Sequence, residues 1–268
     1  MRIAIVNDMP LAVEVLRRVI ASAPEHRVAW IAPNGREAVE KCRQDRPDLI
    51  LMDLLMPVMD GVDATCAIMK ETPCAILVVT ATVEGNAAKV FEAMGCGALD
   101  AVATPVFGPG AEITGGRELL NKIRTLEKLL DRNAGPVPPA PPPPKRAVEG
   151  LPPLVAIGAS TGGPKALAEI LGALPPDLGA ALVVIQHVDA QFAQGLAAWL
   201  DGQTPLCVDV ARESQRPTEG TVLVARTDDH LVLTADLTLH YTPDPRDYPY
   251  RPSVNAFFLS VERHWPRR

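Results

Sequence analysis

Residues 48–61 read DLILMDLLMPVMDG: an unbroken apolar run, Leu49 to Met52, closed by Asp53, then a proline-containing loop and a new start at Asp60-Gly61. A half-buried strand alternates apolar and polar residues. A run that is apolar throughout reads instead as a strand covered on both faces, as in a parallel sheet flanked by helices. The neighbouring segments repeat the pattern. RIAIV (2–6), RVAWIA (27–32), AILVVT (75–80) and ALDAVA (98–103) are strand-like. They alternate with amphipathic stretches at Leu11–Ala21, Arg36–Gln44, Val62–Met69 and Asn86–Met94, and with a last one carrying Leu119, Leu120, Ile123, Leu126 and Leu130. Five such βα units predict a doubly wound parallel sheet with helices on both faces.

Between Asn133 and Pro153 there are nine prolines in 21 residues. Proline has no backbone donor for a ladder or a helix interior, so this stretch reads as a semi-rigid polyproline spacer. Beyond it the α/β grammar resumes with LVAIGAS, a helix from Pro164, ALVVIQHV and a helix over Phe192–Leu200. Shorter strands LCVDV, TVLVA and LTLHY follow, and a last helix is expected to bury Val254, Phe257, Phe258 and Val261 on one face. The expected domains are 1–131, a linker over 132–153, and a second α/β domain over 154–268.

The 268 residues carry a net charge of −6, with 14 basic against 18 acidic residues up to Asp131 and 12 against 14 after it. Neither half offers the basic footprint of a nucleic-acid binder, and no basic recognition helix follows the linker, which argues against a transcriptional regulator. Five scattered cysteines without a CxxC pair suggest neither a disulfide framework nor a zinc site, and fit a reducing cytoplasm. The apolar start is too short for a secretory signal, and no stretch is long enough to insert in a membrane. A cytoplasmic protein is expected.

Ligands of open α/β sheets bind at the carboxyl ends of the strands. Asn7-Asp8, Asp53 and Thr80 all fall at such ends. Two carboxylates at one rim repel each other unless a hard cation such as Mg²⁺ lies between them, and a carboxylate so placed can take a phosphoryl group. The alternative is that Asp8 and Asp53 are loop caps. In the second half, Gly158-x-Ser160-x-Gly162 follows a strand and opens a helix, the setting of a nucleophile elbow. The N–H groups around Gly162 and Gly163 can face an anion there, although a plain glycine-rich turn or phosphate loop has the same residues. The next strand brings Gln186-His187 to the same rim, where a neutral imidazole could accept the Ser160 proton. A core histidine satisfied by a carbonyl is the alternative for His187. His230, His240 and His264 read as structural or surface residues.

MDLLMPVMDG and its surroundings resemble a response-regulator receiver domain, flavodoxin-like in fold, over roughly residues 1–131. The resemblance implies phosphorylation of Asp53 by a cognate histidine kinase, Mg²⁺ held by Asp8, Asp53 and the Leu55 backbone carbonyl, and Thr80 as the switch hydroxyl. Asn7 stands where receivers carry an acid, Thr104-Pro105 where Lys-Pro is usual, and Ala101 at the aromatic switch position, so a modified signalling route is expected. IGASTGGPKAL, VIQHV and YRPSVNAFF resemble the catalytic domain of chemotaxis-type protein-glutamate methylesterases, the CheB family, and details such as IVNDMP are closest to the Wsp-type, surface-sensing member. This implies hydrolysis of glutamate methyl esters on cytoplasmic helices of chemoreceptors, with possible glutamine deamidation. Ser160 would be the nucleophile and His187 the base, with Thr161, Gly162 and Gly163 near the site. The receiver would cover the catalytic rim until Asp53 is phosphorylated. The triad aspartate of the family's Gly-Met-Gly-x-Asp-Gly segment is expected beyond Arg268, which makes 154–268 an incomplete catalytic domain. The alternative is a catalytically impaired, phospho-responsive adaptor that binds receptor or kinase.

Overall fold

A computed structural model describes residues 1–81, 83–110, 112–130, 151–188, 190–226, 229–246, 248 and 251–266. Most of the proline-rich linker, including every residue from 132 to 150, lies outside the described residues. The chain forms two compact units, residues 1–137 and 138–268.

The first unit runs β1 (Arg2–Val6), α1 (Pro10–Ala21), β2 (Arg27–Ala32), α2 (Gly35–Gln44), β3 (Leu49–Met52), α3 (Gly61–Glu71), β4 (Ala75–Thr80), α4 (Val83–Cys96), β5 (Asp100–Ala103), β6 (Val106–Phe107), β7 (Ile113–Thr114) and α5 (Gly116–Leu130). The five long strands make one parallel sheet in the order β2-β1-β3-β4-β5. All four residues of β3 are fully buried, as an apolar central strand requires. Local chemistry sets the helix starts. Pro10 opens α1, the Asn34 side chain accepts from the Glu37 N–H, and Asp60 accepts from the Val62 and Asp63 N–H groups. On one face of the sheet Val15, Leu16 and Val19 of α1 and Leu119, Ile123 and Leu126 of α5 close over Ile3, Ile5, Leu49, Leu51 and Leu77. The β6–β7 hairpin was not expected, since two-residue strands leave no periodic signal.

The second unit contains β8 (Leu154–Ala159), α6 (Gly163–Gly172), β9 (Ala181–Gln186), α7 (Ala190–Asp201), β10 (Cys207–Val210), β11 (Thr221–Val224), β12 (His230–Leu233), β13 (Leu239–Thr242) and α8 (Val254–His264). Its parallel sheet has the order β10-β11-β9-β8. The segment LTLHY does not join that sheet. Its residues from Leu239 pair antiparallel with β12, a strand the sequence reading missed. The reversal lacks the usual turn glycine. Leu237 takes a φ of 66°, and Asp236 accepts hydrogen bonds from Thr234 and Thr238. Trp265, fully buried after α8, packs with Phe257, Val261, Leu154 and Leu231, and its indole N–H donates to the Pro152 carbonyl at 3.2 Å.

Cysteine spacing misled on one point. Helices α3 and α4 pack together and bring Cys66 and Cys96 into a disulfide with a Cα–Cα distance of 4.8 Å. Helix packing, and not sequence spacing, creates that proximity. Cys42 and Cys74 are buried free thiols, and Cys207 is exposed. Burial, with smaller contributions from its neighbours, pushes the Cys74 thiol up from 9.0 to about 12. Between those values the folded chain keeps a proton that the unfolded chain releases, so this residue's contribution to stability falls as pH rises across that window. Iodoacetamide at about pH 8 is expected to alkylate Cys207 in the native protein, and Cys74 only after unfolding. Mass mapping of the labelled peptides checks this.

Candidate active site and phosphoacceptor rim

In the first unit the strand order changes direction at β1, so the rim between β1 and β3 is the switch point where a ligand is expected. Val6 pairs with Met52, which sets Asn7 beside Asp53. The Asn7 amide is oriented by both its ends. Its Oδ1 accepts from the Met9 N–H at 2.8 Å, and its Nδ2 donates to Asp53 Oδ2 at 3.1 Å. Where receivers carry an acid, this chain thus has a neutral donor in direct contact with the Asp53 carboxylate. The Leu54 N–H donates to Asp53 Oδ1 at 2.7 Å. Burial nevertheless holds the Asp53 carboxyl above its ordinary pKa. The N–H bonds of Leu54 and Leu55 oppose that shift, and the charge of Asp8 adds to it. Both burial and Asp8 thus disfavour the negative charge that a hard cation would relieve. Among the described residues no group of three or more His, Cys, Asp or Glu side chains forms a metal site. A cation here would be held by Asp8, Asp53 and oxygen from backbone and solvent.

Thr80 ends β4, next to β3, and is buried. Its carbonyl accepts from the N–H of Thr104 at 3.0 Å. Gly61 is obligatory beneath this rim. A Cβ there would lie 1.9 Å from the Asp53 carbonyl oxygen, so only glycine lets α3 start against the loop that carries Asp53.

In the second unit β8 and β9 are adjacent and in register, with Ala159 opposite Gln186. The next residue of each strand is therefore brought to the same carboxyl-end rim, and a His187 ring nitrogen (Nδ1) lies 3.3 Å from Ser160 Oγ. This is the pair the sequence placed together. Thr161 follows Ser160 in the turn that leads to α6.

Each glycine of GASTGG has its own reason. A Cβ on Gly158 would meet Val254 Cγ1 of α8 at 2.3 Å. Gly162 has a φ of 77°, the left-handed conformation that leads into α6. A Cβ on Gly163 would meet Gln186 Oε1 at 2.0 Å. The Gly163 N–H does not face an anion, contrary to the sequence reading. It donates to the Ser160 carbonyl at 2.7 Å and closes the turn.

Gln186 was placed on the rim by sequence but given no role there. Its side chain is buried, and Nε2 donates to the carbonyls of Ser160 at 2.9 Å and His187 at 3.4 Å. A lone amide at a strand end carries no signal that separates it from any other polar residue. His230 and His240 are held in place by local partners. Buried His230 accepts from the Ser253 N–H through Nδ1 at 3.0 Å and meets the Pro245 carbonyl through Nε2 at 3.0 Å. Those partners set the Nε2–H tautomer. His240 bridges Glu213 at 2.6 Å and the Thr238 hydroxyl at 2.9 Å on the β12–β13 hairpin.

Comparison with known proteins finds a family for each of the two units. A family model described as CheB methylesterase matches residues 155–268, and one described as response regulator receiver domain matches residues 3–108. A Burkholderia lata protein named protein-glutamate methylesterase/protein-glutamine glutaminase 1 is 55% identical over 269 residues, covering 100% of this chain and 79% of that protein. A Mesorhizobium japonicum protein of the same general name is 57% identical over 273 residues, covering 99% and 78%. A Pseudomonas aeruginosa counterpart is 51% identical over 267 residues, covering 99% and 79%. None of these three names carries the Wsp-type designation. With both halves matched and relatives of this identity aligned along nearly the whole of it, the chain belongs to the CheB methylesterase family, as a member with an N-terminal receiver domain.

Proposed function

We propose that this chain is a phosphorylation-regulated protein-glutamate methylesterase that acts on methyl-esterified glutamates of chemoreceptor-like proteins. The observation that carries the reading is the 3.3 Å approach of a His187 ring nitrogen to Ser160 Oγ at the ends of adjacent parallel strands. Ser160 Oγ attacks the ester carbonyl carbon while His187 takes its proton. His187 then gives that proton to the departing methoxide, which leaves as methanol, and a glutamyl ester remains on Ser160. Water attacks this ester with His187 again as base, and the proton returns to Ser160 as the free glutamate leaves. Hydrolysis of a glutamine side chain would follow the same course with ammonia as leaving group, in keeping with the glutaminase half of the relatives' names.

The receiver supplies the regulation. Asp53 is the phosphoacceptor, a cognate histidine kinase is the donor, and Thr80 is the switch hydroxyl. Asp8, Asp53 and the Leu55 carbonyl would hold Mg²⁺, whose role when bound is to neutralise charge on the incoming phosphoryl group. Asn7 holds the acceptor carboxylate in place without adding a charge to the rim. The adaptor reading is not favoured, since the relatives are named as enzymes along nearly the whole of this chain. None of the described helices is long and apolar enough to cross a membrane.

The test is methanol release from a chemoreceptor cytoplasmic fragment carrying glutamate methyl esters, with and without a small-molecule phosphodonor. The expected result is release that the phosphodonor raises, together with a phosphoryl adduct on the intact protein. Asp53→Asn is expected to lose both the adduct and the stimulation. Absence of methanol overturns the enzymatic assignment, and an adduct that survives in Asp53→Asn overturns the phosphoacceptor assignment.

A further inference from the structure

We infer that Gln186 is a positioning residue for the Ser160–His187 pair, an inference that rests on the catalytic reading above. It is buried, with only 2% of the residue exposed. One amide nitrogen spans the backbones of both reacting residues, donating to the Ser160 carbonyl at 2.9 Å and the His187 carbonyl at 3.4 Å. The orientation of the amide follows from these partners. Two carbonyl oxygens can only be faced by the NH₂ end, which turns Oε1 toward Gly163. Oε1 is buried there without a hydrogen-bond partner among the described residues, an arrangement that costs free energy and persists only if the other end of the amide is constrained.

The Ser160 carbonyl is thereby doubly held, by the Gln186 amide and by the Gly163 N–H at 2.7 Å. Both its lone pairs are engaged, so the peptide plane that follows the nucleophile has one orientation. The missing Cβ of Gly163 completes the device. A methyl group at that position would stand 2.0 Å from Gln186 Oε1 and push the amide off its carbonyls. Gln186 therefore sets the separation and angle of two side chains that it does not itself touch. An error of about 1 Å in such a geometry costs on the order of 100-fold in rate, with little effect on substrate affinity.

The experiment compares the full chain with Gln186→Met, which fills a similar volume without a donor, and with Gln186→Leu. Each is assayed well below its own melting midpoint, so that lost fold is not read as lost positioning. Two readouts are taken: kcat and KM for methanol release, and the rate at which a fluorophosphonate labels Ser160. The expected result is a kcat lower by about 10- to 100-fold with KM little changed, and labelling slowed in parallel in both variants. A kcat within about threefold of the parent, or a loss carried by KM with labelling unchanged, overturns the inference. Ser160→Ala serves as the control for the underlying assignment. If that variant keeps its activity, the catalytic reading itself fails. If it loses activity while Gln186→Met does not, only the role of Gln186 is refuted.

Discussion

Ser160→Ala is expected to lower kcat for methanol release by about 10³-fold or more and to leave the fold intact. The size follows from what the hydroxyl does in the proposed reaction. It is the atom that bonds to the ester carbon, so its loss leaves only water attack assisted by His187. The structural cost is small, because nothing in the geometry of the turn depends on Oγ. The turn is closed by the Ser160 carbonyl, which accepts from the Gly163 N–H and the Gln186 amide, and alanine keeps that carbonyl. The expected pattern is therefore an unchanged melting midpoint and an unchanged response of Asp53 to phosphodonor beside a nearly complete loss of turnover. Retention of more than about a tenth of the parent kcat would place the nucleophile elsewhere.

Trp265→Ala carries the largest expected effect on stability, a loss of about 3–5 kcal/mol from the second unit. Trp265 is fully buried and among the largest side chains in the core. It fills space against Leu154, Leu231, Phe257 and Val261, and its N–H satisfies the carbonyl of Pro152, so alanine opens a cavity and strips a partly buried acceptor at once. Trp265→Phe keeps most of the packing and loses the hydrogen bond, so a smaller cost of about 1–2 kcal/mol is expected. Urea unfolding followed by circular dichroism separates the two variants. The transition of the receiver unit should not move in either, since its core is its own. A Trp265→Ala midpoint equal to that of the parent would mean that α8 and its tail contribute nothing to the second core.

The parts legible in the sequence were those that repeat or that punctuate. Fully apolar strands such as Leu49–Met52 gave the parallel sheet, and the serine turn and its neighbouring strand end gave the pairing of Ser160 with His187. The amphipathic stretches from Leu11, Arg36 and Val62 likewise began close to the observed helix starts, where Pro10 opens α1 and Asn34 and Asp60 cap α2 and α3. What stayed hidden depended on the third dimension. The β12–β13 hairpin turns through a left-handed leucine that no turn rule selects. Cys66 and Cys96 are 30 residues apart and meet only because α3 packs on α4. The Gly163 N–H was available to an anion by sequence, yet folding commits it to the Ser160 carbonyl. Gln186 acquires meaning only once the two carbonyls it bridges are known to lie on either side of it.

Gly158 shows how closely the elbow is tied to the end of the chain. Val254, the first residue of α8, occupies the space that any side chain at position 158 would need, two residues ahead of Ser160. Under the proposed function, turnover would then gauge whether α8 is seated. On warming, lifting of α8 from β8 is expected to free the backbone before Ser160 while the parallel sheet is still whole, so that methanol release falls at temperatures where circular dichroism still reports a folded protein.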